Sequence, residues 1–378
     1  MISESTIISL LGAGVQSYPC ARGRMGYFTE NGSKETYDAV ATALLDAGGA
    51  LIFERRVGDT DLSLYEMNGR YARLSFVEKR GIVRVITTEE ETLFTGYGDL
   101  DANGEVSMML MNMDYVKARH DNGEGLVIQL ADGSFLMYDG GYATEMVPLV
   151  EYMEANTPKG QKPVISTWFI THSHGDHYWG FESLLKDDAL FSRVEIKNVM
   201  LVIPTVEQWS IGRLPESFFT TKVTPMLEER GIPLIHPFAG QVIRYPGVDL
   251  EILMTVEDLL PVRPWDDNTA SSVTFLHFKQ AEKDVLVPGD SAGHGMNMLT
   301  DMYGTYLKCH VLQNPHHGCG GATKALFDLA DPEEVLFCTA EKNYRERIVS
   351  DVAWNYYLMN RLHVKRAYYA DHKYQRII

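Results

Sequence analysis

The chain is poor in cysteine. Its four, Cys20, Cys309, Cys319 and Cys338, are widely separated and form no CxxC pair. That spacing excludes a cysteine-built metal framework and leaves free thiols in a reducing compartment as the simplest reading. Long hydrophobic runs are missing as well. The N-terminal TIISLLGAGV is apolar but has no basic segment ahead of it, and no stretch is long enough to span a bilayer. A soluble, cytoplasmic protein without a membrane partner is therefore expected. Basic charge is in deficit: 34 Lys and Arg against 51 Asp and Glu give a formal charge of -17. Such a balance repels nucleic acid over much of the surface and argues against a polyanion partner. Lys and Arg recur in EKNYRERIVSDVAWNYYLMNRLHVKR, Glu341 to Arg366, but acidic residues interrupt them. This stretch reads as a solvated helical face, not a phosphate track. Low-complexity runs and internal repeats are also absent. With 45% hydrophobic and 11% aromatic residues, disorder is excluded and a globular chain follows.

At 378 residues there is room for two or three domains. Residues 1–104 read as a small α+β domain. ETYDAVATALLDAG has helical spacing, and ALIFERRV, DLSLYEM, YARLSFV and GIVRVITT follow as strands, with Asn68-Gly69 as a hairpin turn. The polar GYGDLDANGEV, residues 96–106, marks the boundary, and no catalytic cluster precedes it. Residues 105–378 alternate longer strands with helices. GLVIQL and FLMYDGG flank the turn Asp132-Gly133, TEMVPLVEYMEA suits a helix, and PVISTWFI is a buried strand. A short helix from Tyr178, the strand VEIKNVMLVI and a helix near 221–230 come next. The strands QVIRY, VDLEILM, SSVTFLHF and DVLVPGD follow. This order suggests an α+β fold of two sheets with helices outside.

The strand PVISTWFI runs into FITHSHGDHYWG, which packs His172, His174, Asp176 and His177 into six positions. These groups converge only if the backbone turns sharply, and Gly175 is the natural place. Imidazole and carboxylate ligands suit Zn, Fe or Mn, and a catalytic ion needs a position left open to water. Two later segments offer more ligands: VLVPGDSAG ends a strand with Asp290, and LQNPHHGCGG places His316 and His317 in a Gly-rich turn.

HxHxDH, a later strand-Gly-Asp and a final His-Gly, in this order, resemble the signature of the metallo-β-lactamase superfamily over roughly residues 107–350. The resemblance implies an αββα sandwich with a dinuclear metal site at one edge. His172 and His174 would bind the first ion and Asp176 and His177 the second. Asp290 would bridge them, and one of the adjacent histidines, taken here as His317, would complete the second ion. His316 then becomes a candidate for catalytic assistance. Zinc is the first expectation for both ions, with iron or manganese open. A third histidine on the first ion, typical of true β-lactamases, has no counterpart: the corresponding place reads RPWDDNTASSVTFLHF, with Asn268 where it would stand. His277 lies mid-strand and His236 precedes a turn, neither a natural ligand. The departure points away from β-lactams. NTASSVTF, VPGD and NPHHG look like the pattern in the hydrolase domain of DNA-uptake competence proteins and in teichoic-acid phosphorylcholine esterases.

Those relatives imply a small anionic phosphoester substrate, hydrolysed by a metal-bridging hydroxide with Asp176 orienting it and His316 assisting the leaving group. A thioester, lactone or other acyl substrate is the alternative. A flavodiiron-type oxidoreductase fits less well, because His174 stands where that branch carries a carboxylate. Asn268 and Tyr178 are candidate substrate contacts. Tyr178, Trp179, Trp265 and Tyr303 would supply an aromatic wall, or else core packing. Asp139, ending the strand FLMYDGG, is a candidate to hold a ligand histidine. Cys319 reads as a plain buried thiol. The N-terminal unit would cover the cleft or mediate self-association into a homo-oligomer.

Overall fold

The computed structural model describes residues 2–89, 92–115, 122–205, 219–259, 266–352 and 354–378. Three sheets organise them. The first is antiparallel, in the order Gln16–Pro19, Met25–Thr29, Ile82–Thr87, Arg70–Val77, Thr60–Met67 and Ala50–Val57. Its central hairpin turns at Asn68 and Gly69, with φ of 55° and 76°. This is the left-handed pair that a two-residue turn requires, and it sets Met67 opposite Arg70. The strands Gln16–Pro19 and Met25–Thr29 are absent from the sequence reading: each is short, and the turn Ala21–Gly23 separates them. Helices Glu4–Leu11 and Lys34–Asp46, capped by Ser3 and Ser33, cover one face of this sheet, burying Tyr37, Val40 and Leu44 against Leu74 and Val85.

The rest of the chain is locked to this sheet. Leu62, Val77 and Ile82 share an apolar cluster with Met254, Val256 and Met298. Arg24 faces Glu257 at 3.4 Å and Arg73 pairs with Asp258, all four fully buried. Buried ion pairs add little net stability when intact but cost several kcal/mol when one partner is lost, so they fix how the two parts fit.

The other two sheets face one another. One runs Leu234–Ile235, Val199–Met200, Val164–Phe169, Phe135–Asp139, Gly125–Gln129, Ser107–Leu110 and Gln375–Arg376, with Glu195–Ile196 also alongside Val164–Phe169. The other runs Val242–Tyr245, Val248–Met254, Val273–Phe278, Lys283–Val287, Val311–Gln313, Glu334–Phe337 and Arg366–Tyr369. Leu126, Ile128 and Leu136 of one meet Ile243, Leu250 and Leu276 of the other in a single core. Hydrogen bonds cross it from Tyr138 to Thr274 (3.0 Å) and from Thr167 to Tyr245 (2.6 Å). Helices Met146–Ala155 and Gly175–Lys186 cover one outer face, His294–Tyr303 and Lys324–Ala330 the other. The architecture is the expected α+β sandwich, helix–sheet–sheet–helix.

Two segments differ from the expectation. VEIKNVMLVI is two two-residue strands, not one, because Asn198 turns its side chain to the Ser166 carbonyl (2.7 Å) and interrupts the run. Glu341 to Arg366 is not one helical face. Among its described residues, only Glu341–Arg345 and Asn355–Arg361 are helical, the first ending near Arg347, whose φ of 65° is left-handed. Among the described residues, no helix is long and apolar enough to cross a membrane.

Candidate metal centre

The site forms where strand ends from both sheets converge. Val164–Phe169 is buried almost throughout, and three residues on, His172 leaves its end. His174 takes the N-cap position of helix Gly175–Lys186, which places Asp176 and His177 in the first turn. A carboxylate is favoured there by the helix dipole. Gly175 is needed for space more than for a left-handed turn: a Cβ on it would lie 2.1 Å from the Trp179 indole. From the facing sheet, Lys283–Val287 leads to Asp290, and Val311–Gln313 leads to the turn Pro315–Gly318. In that turn His316 (φ 52°), His317 (φ 56°) and Gly318 (φ 83°) are all left-handed. Such backbone costs of order 1–3 kcal/mol per non-glycine residue and persists only where its surroundings impose it. Buried Asn355 does so here, donating to the carbonyls of Gly318 (2.7 Å) and Val349 (2.8 Å) and accepting from Asn314 (2.9 Å).

One carboxylate oxygen faces both halves of the cluster. Asp290 Oδ2 lies 3.3 Å from His177 Nε2, 3.3 Å from His317 Nε2 and 3.8 Å from His172 Nε2. Asp176 Oδ2 is 3.0 Å from His317 Nε2 and 4.0 Å from His177 Nε2. Two sets of ligand atoms come close enough to share an ion: His172, His174 and Asp290, and Glu124, His177, Asp290 and His317. The adjacent histidines are thereby distinguished. His317 is buried within the cluster, whereas His316 Nε2 stands 4.0 Å from Asp290 and 3.3 Å from Asn268 Nδ2.

The buried polar groups fit a cation. His172 Nε2, His177 Nε2, Asp290 Oδ1 and Glu124 Oε1 are buried without a hydrogen-bond partner. Leaving that many polar atoms unpaired would cost several kcal/mol, and divalent ions take up such atoms as ligands. Outer groups fix the ring orientations. Asp139 Oδ2 accepts from His177 Nδ1 at 2.8 Å, presenting Nε2 to the cluster. Asp139 is itself held by the Thr171 amide (2.8 Å) and hydroxyl (2.9 Å), and that hydroxyl is 3.1 Å from His172 Nδ1.

The electrostatics follow. Burial opposes charge on His177 and His317, but Asp290 and the other carboxylates outweigh it and hold both imidazoles well above their ordinary range. Burial, reinforced by His177, keeps His172 well below it. Asp176 and Asp290 are held low by the histidines despite burial. Glu124 is pushed up to about 8 by burial and by Asp139. A cation would take the place of the protons this cluster otherwise keeps.

The structure thus brings His172, His174, Asp176, His177, Asp290 and His317 together, with Asp139 behind His177. Asn268 lies beside His316. Tyr178 is misplaced by the sequence reading: it is 3% exposed and packs edge-on against Phe219, leaving its ring little surface for a substrate. Tyr303 is likewise core, its hydroxyl donating to the Leu253 carbonyl. Trp265 lies outside the described residues. Trp179 alone of the three described aromatics is exposed, next to Tyr142. His277 is bound to Asp284 (2.8 Å) and Glu251 (3.2 Å). Neither it nor His236 belongs to a metal-holding group among the described residues. Cys319 accepts from Asn122 at 3.4 Å and sits outside those groups.

Two acidic residues at the site escaped the sequence reading. Asp267 accepts from Ser173 (3.2 Å) and lies 3.8 Å from His174 Nε2. Glu124 was hidden in NGEGLVIQL. Its one signal was a charge between two glycines at the head of an apolar strand, and a Cβ on Gly125 would meet Met111 sulfur at 2.4 Å.

No family model matches the sequence, and no curated protein does. Solved structures do. The chain is similar to CmlA, a diiron beta-hydroxylase from Streptomyces venezuelae, with 12% identity over 73% of this chain and a TM-score of 0.42. The match spans about half of CmlA, 54% of its length. It is similar to the metallo-beta-lactamase fold protein YhfI from Bacillus subtilis, with 11% identity over 72% of this chain and 99% of YhfI and a TM-score of 0.41. It is also similar to yeast PDE1, with 13% identity over 66% of this chain and 96% of that one and a TM-score of 0.36.

Proposed function

We propose that this protein is a dinuclear metal-dependent hydrolase of the metallo-β-lactamase superfamily, acting on a small anionic phosphoester, in the first instance a phosphodiester. The observation that carries the proposal is the position of Asp290, whose Oδ2 faces His177 and His317 at 3.3 Å and His172 at 3.8 Å. A carboxylate so placed serves both metal-binding halves. His172, His174 and Asp290 would hold one ion, and Asp176, His177, Asp290 and His317 the other, with zinc the first candidate. Two such ions, when bound, make hydroxide available near neutral pH and polarise a phosphoryl oxygen.

The chain's own residues supply the rest. Asp139 and Thr171 fix the ligand rings. Asp176, in the first helical turn at the mouth, is 26% exposed and is the oxygen acceptor available to orient a water. His316 is 34% exposed, and burial holds its pKa below the ordinary range, so at neutral pH it is an uncharged imidazole. In that state Nε2 accepts from Asn268 Nδ2 (3.3 Å), which positions the ring and leaves Nδ1–H as the one donor it can offer a phosphoryl or departing oxygen. The four cysteines are unpaired and three are buried, in keeping with a reducing cytoplasm.

The test is hydrolysis of bis(p-nitrophenyl) phosphate and p-nitrophenyl phosphorylcholine against an acyl ester and a lactone, by metal-loaded protein with Asp290→Ala as control. Phosphodiester turnover that vanishes in the variant is the expected result. Turnover of the carbonyl substrates alone would replace the phosphoesterase reading with an acyl hydrolase on the same metal centre.

A further inference from the structure

Glu124 is fully buried at the head of strand Gly125–Gln129, and its backbone is pinned on both sides. Its amide donates to the Asp176 carbonyl (3.1 Å), and its own carbonyl accepts from Gly141 (2.8 Å). The backbone is therefore tied to the HxHxDH turn. Gln313 Nε2 donates to Glu124 Oε2 at 3.0 Å, while that amide also serves the carbonyls of Gly289 and Asn314, which anchors it. Oε1 has no partner. The carboxylate lies within 4.8 Å of the ligand atoms of His177, Asp290 and His317. One neutral amide does not offset the desolvation of a buried carboxylate. A proton or a cation must do so.

We infer that Glu124 is a further ligand of the second ion, giving it a carboxylate-rich set that the first ion lacks. This rests on the metal-centre reading above and not on the identity of the substrate. With Glu124, the second ion would draw on the carboxylates Glu124 and Asp290 and the imidazoles His177 and His317, with Asp176, whose Oδ2 is 3.0 Å from His317 Nε2, as a fifth group at the edge of that set. The first has His172, His174 and the shared Asp290. Zinc is satisfied by four ligands, whereas oxygen-rich sets of higher coordination suit manganese and ferrous iron. Glu124 is thus a residue that sets metal preference: its loss weakens Mn2+ binding more than Zn2+ binding.

The experiment is equilibrium dialysis of the metal-free full chain against Mn2+ and, separately, Zn2+, with bound metal counted by mass spectrometry, for wild type, Glu124→Gln and Glu124→Asp. Glutamine keeps the shape of the protonated acid and can accept from Gln313, so the metal-free variant should unfold at the wild-type temperature. The expected result is two Mn2+ per wild-type chain, the weaker site loosened about ten-fold or more in Glu124→Gln, and a several-fold smaller loss for Zn2+. Glu124→Asp, which keeps the charge, falls between. Unchanged Mn2+ affinity in Glu124→Gln, or equal losses for both metals, overturns the assignment of Glu124 and leaves the metal centre standing. A wild-type chain that binds neither metal overturns the metal centre itself.

Discussion

Replacing Asp139 by asparagine changes one atom and removes the protonation logic of the second ion. The carboxylate accepts three hydrogen bonds: from the Thr171 amide on Oδ1 (2.8 Å), and from the Thr171 hydroxyl (2.9 Å) and His177 Nδ1 (2.8 Å) on Oδ2. An amide has one acceptor oxygen and one donor group. If its nitrogen takes the Oδ1 position, it opposes the Thr171 N–H. If it takes the Oδ2 position, it donates to His177 Nδ1 and drives the proton of the neutral ring to Nε2, the atom 3.3 Å from Asp290. The first arrangement sets two donors against each other and shifts the group that holds His177; the second puts the proton on the ligating nitrogen. Loss of a group that orients a metal-bound histidine costs about 10–100-fold in affinity, or about 1.4–2.8 kcal/mol. Competition with a calibrated chelator measures it, with Asp139→Asn losing one ion before the other. An unchanged affinity for both ions, in a variant that unfolds at the wild-type temperature, would refute the role given to Asp139.

Other perturbations separate the parts. His316→Ala should keep both ions and lose most turnover, read from metal content beside the rate; loss of metal instead would make His316 a ligand. Asn355→Ala removes the group that pins the left-handed turn, and with two carbonyls and an amide left unpaired it should destabilise by about 1–3 kcal/mol, read by urea unfolding. Arg73→Met strands Asp258 in the core and should cost about 3–5 kcal/mol; a surface-like effect in the same assay would show that the two parts of the chain are not locked there. For pH, the metal-free fold keeps protons on Glu124, His177 and His317 above their ordinary ranges, while burial holds His172, His236 and His316 low, so the proton excess over the unfolded chain is unopposed only above about pH 7.5, where an ordinary histidine is already neutral. The stability they give is therefore present in acid and lost as pH rises through the folded values. Asp176 and Asp290, held low, act in the opposite sense only below about pH 4. Thermal unfolding in chelator should show a falling melting temperature from about pH 7.5 to about pH 8.5, and saturating metal should reverse the trend.

Legibility in the sequence followed how local each signal was. HxHxDH is contiguous and sits between a buried strand and a helix start, so the four side chains it brings together were readable together. Asp290 and His317 were readable because each ends a strand at a Gly-rich turn. Asp139 was readable for the same reason. Glu124 was not, since its part depends on Gly123–Gly125 reaching the Asp176 carbonyl from another strand. Nor was Asn355, which acts on a turn 37 residues earlier. Tyr178 was misjudged because adjacency to His177 says nothing about direction: on a helix the next residue points about 100° away, here into the core beside Phe219. The two sheets were visible in their apolar runs. The hairpin of Gln16–Pro19 and Met25–Thr29 was too short to show a period.

The most direct test of the metal centre is anomalous scattering from crystals of the metal-loaded protein, collected on both sides of the absorption edge. Two peaks are expected, one on either side of Asp290, the first against His172 and His174 and the second against His177 and His317. A single peak away from Asp290, or none in fully loaded protein, would contradict the dinuclear centre.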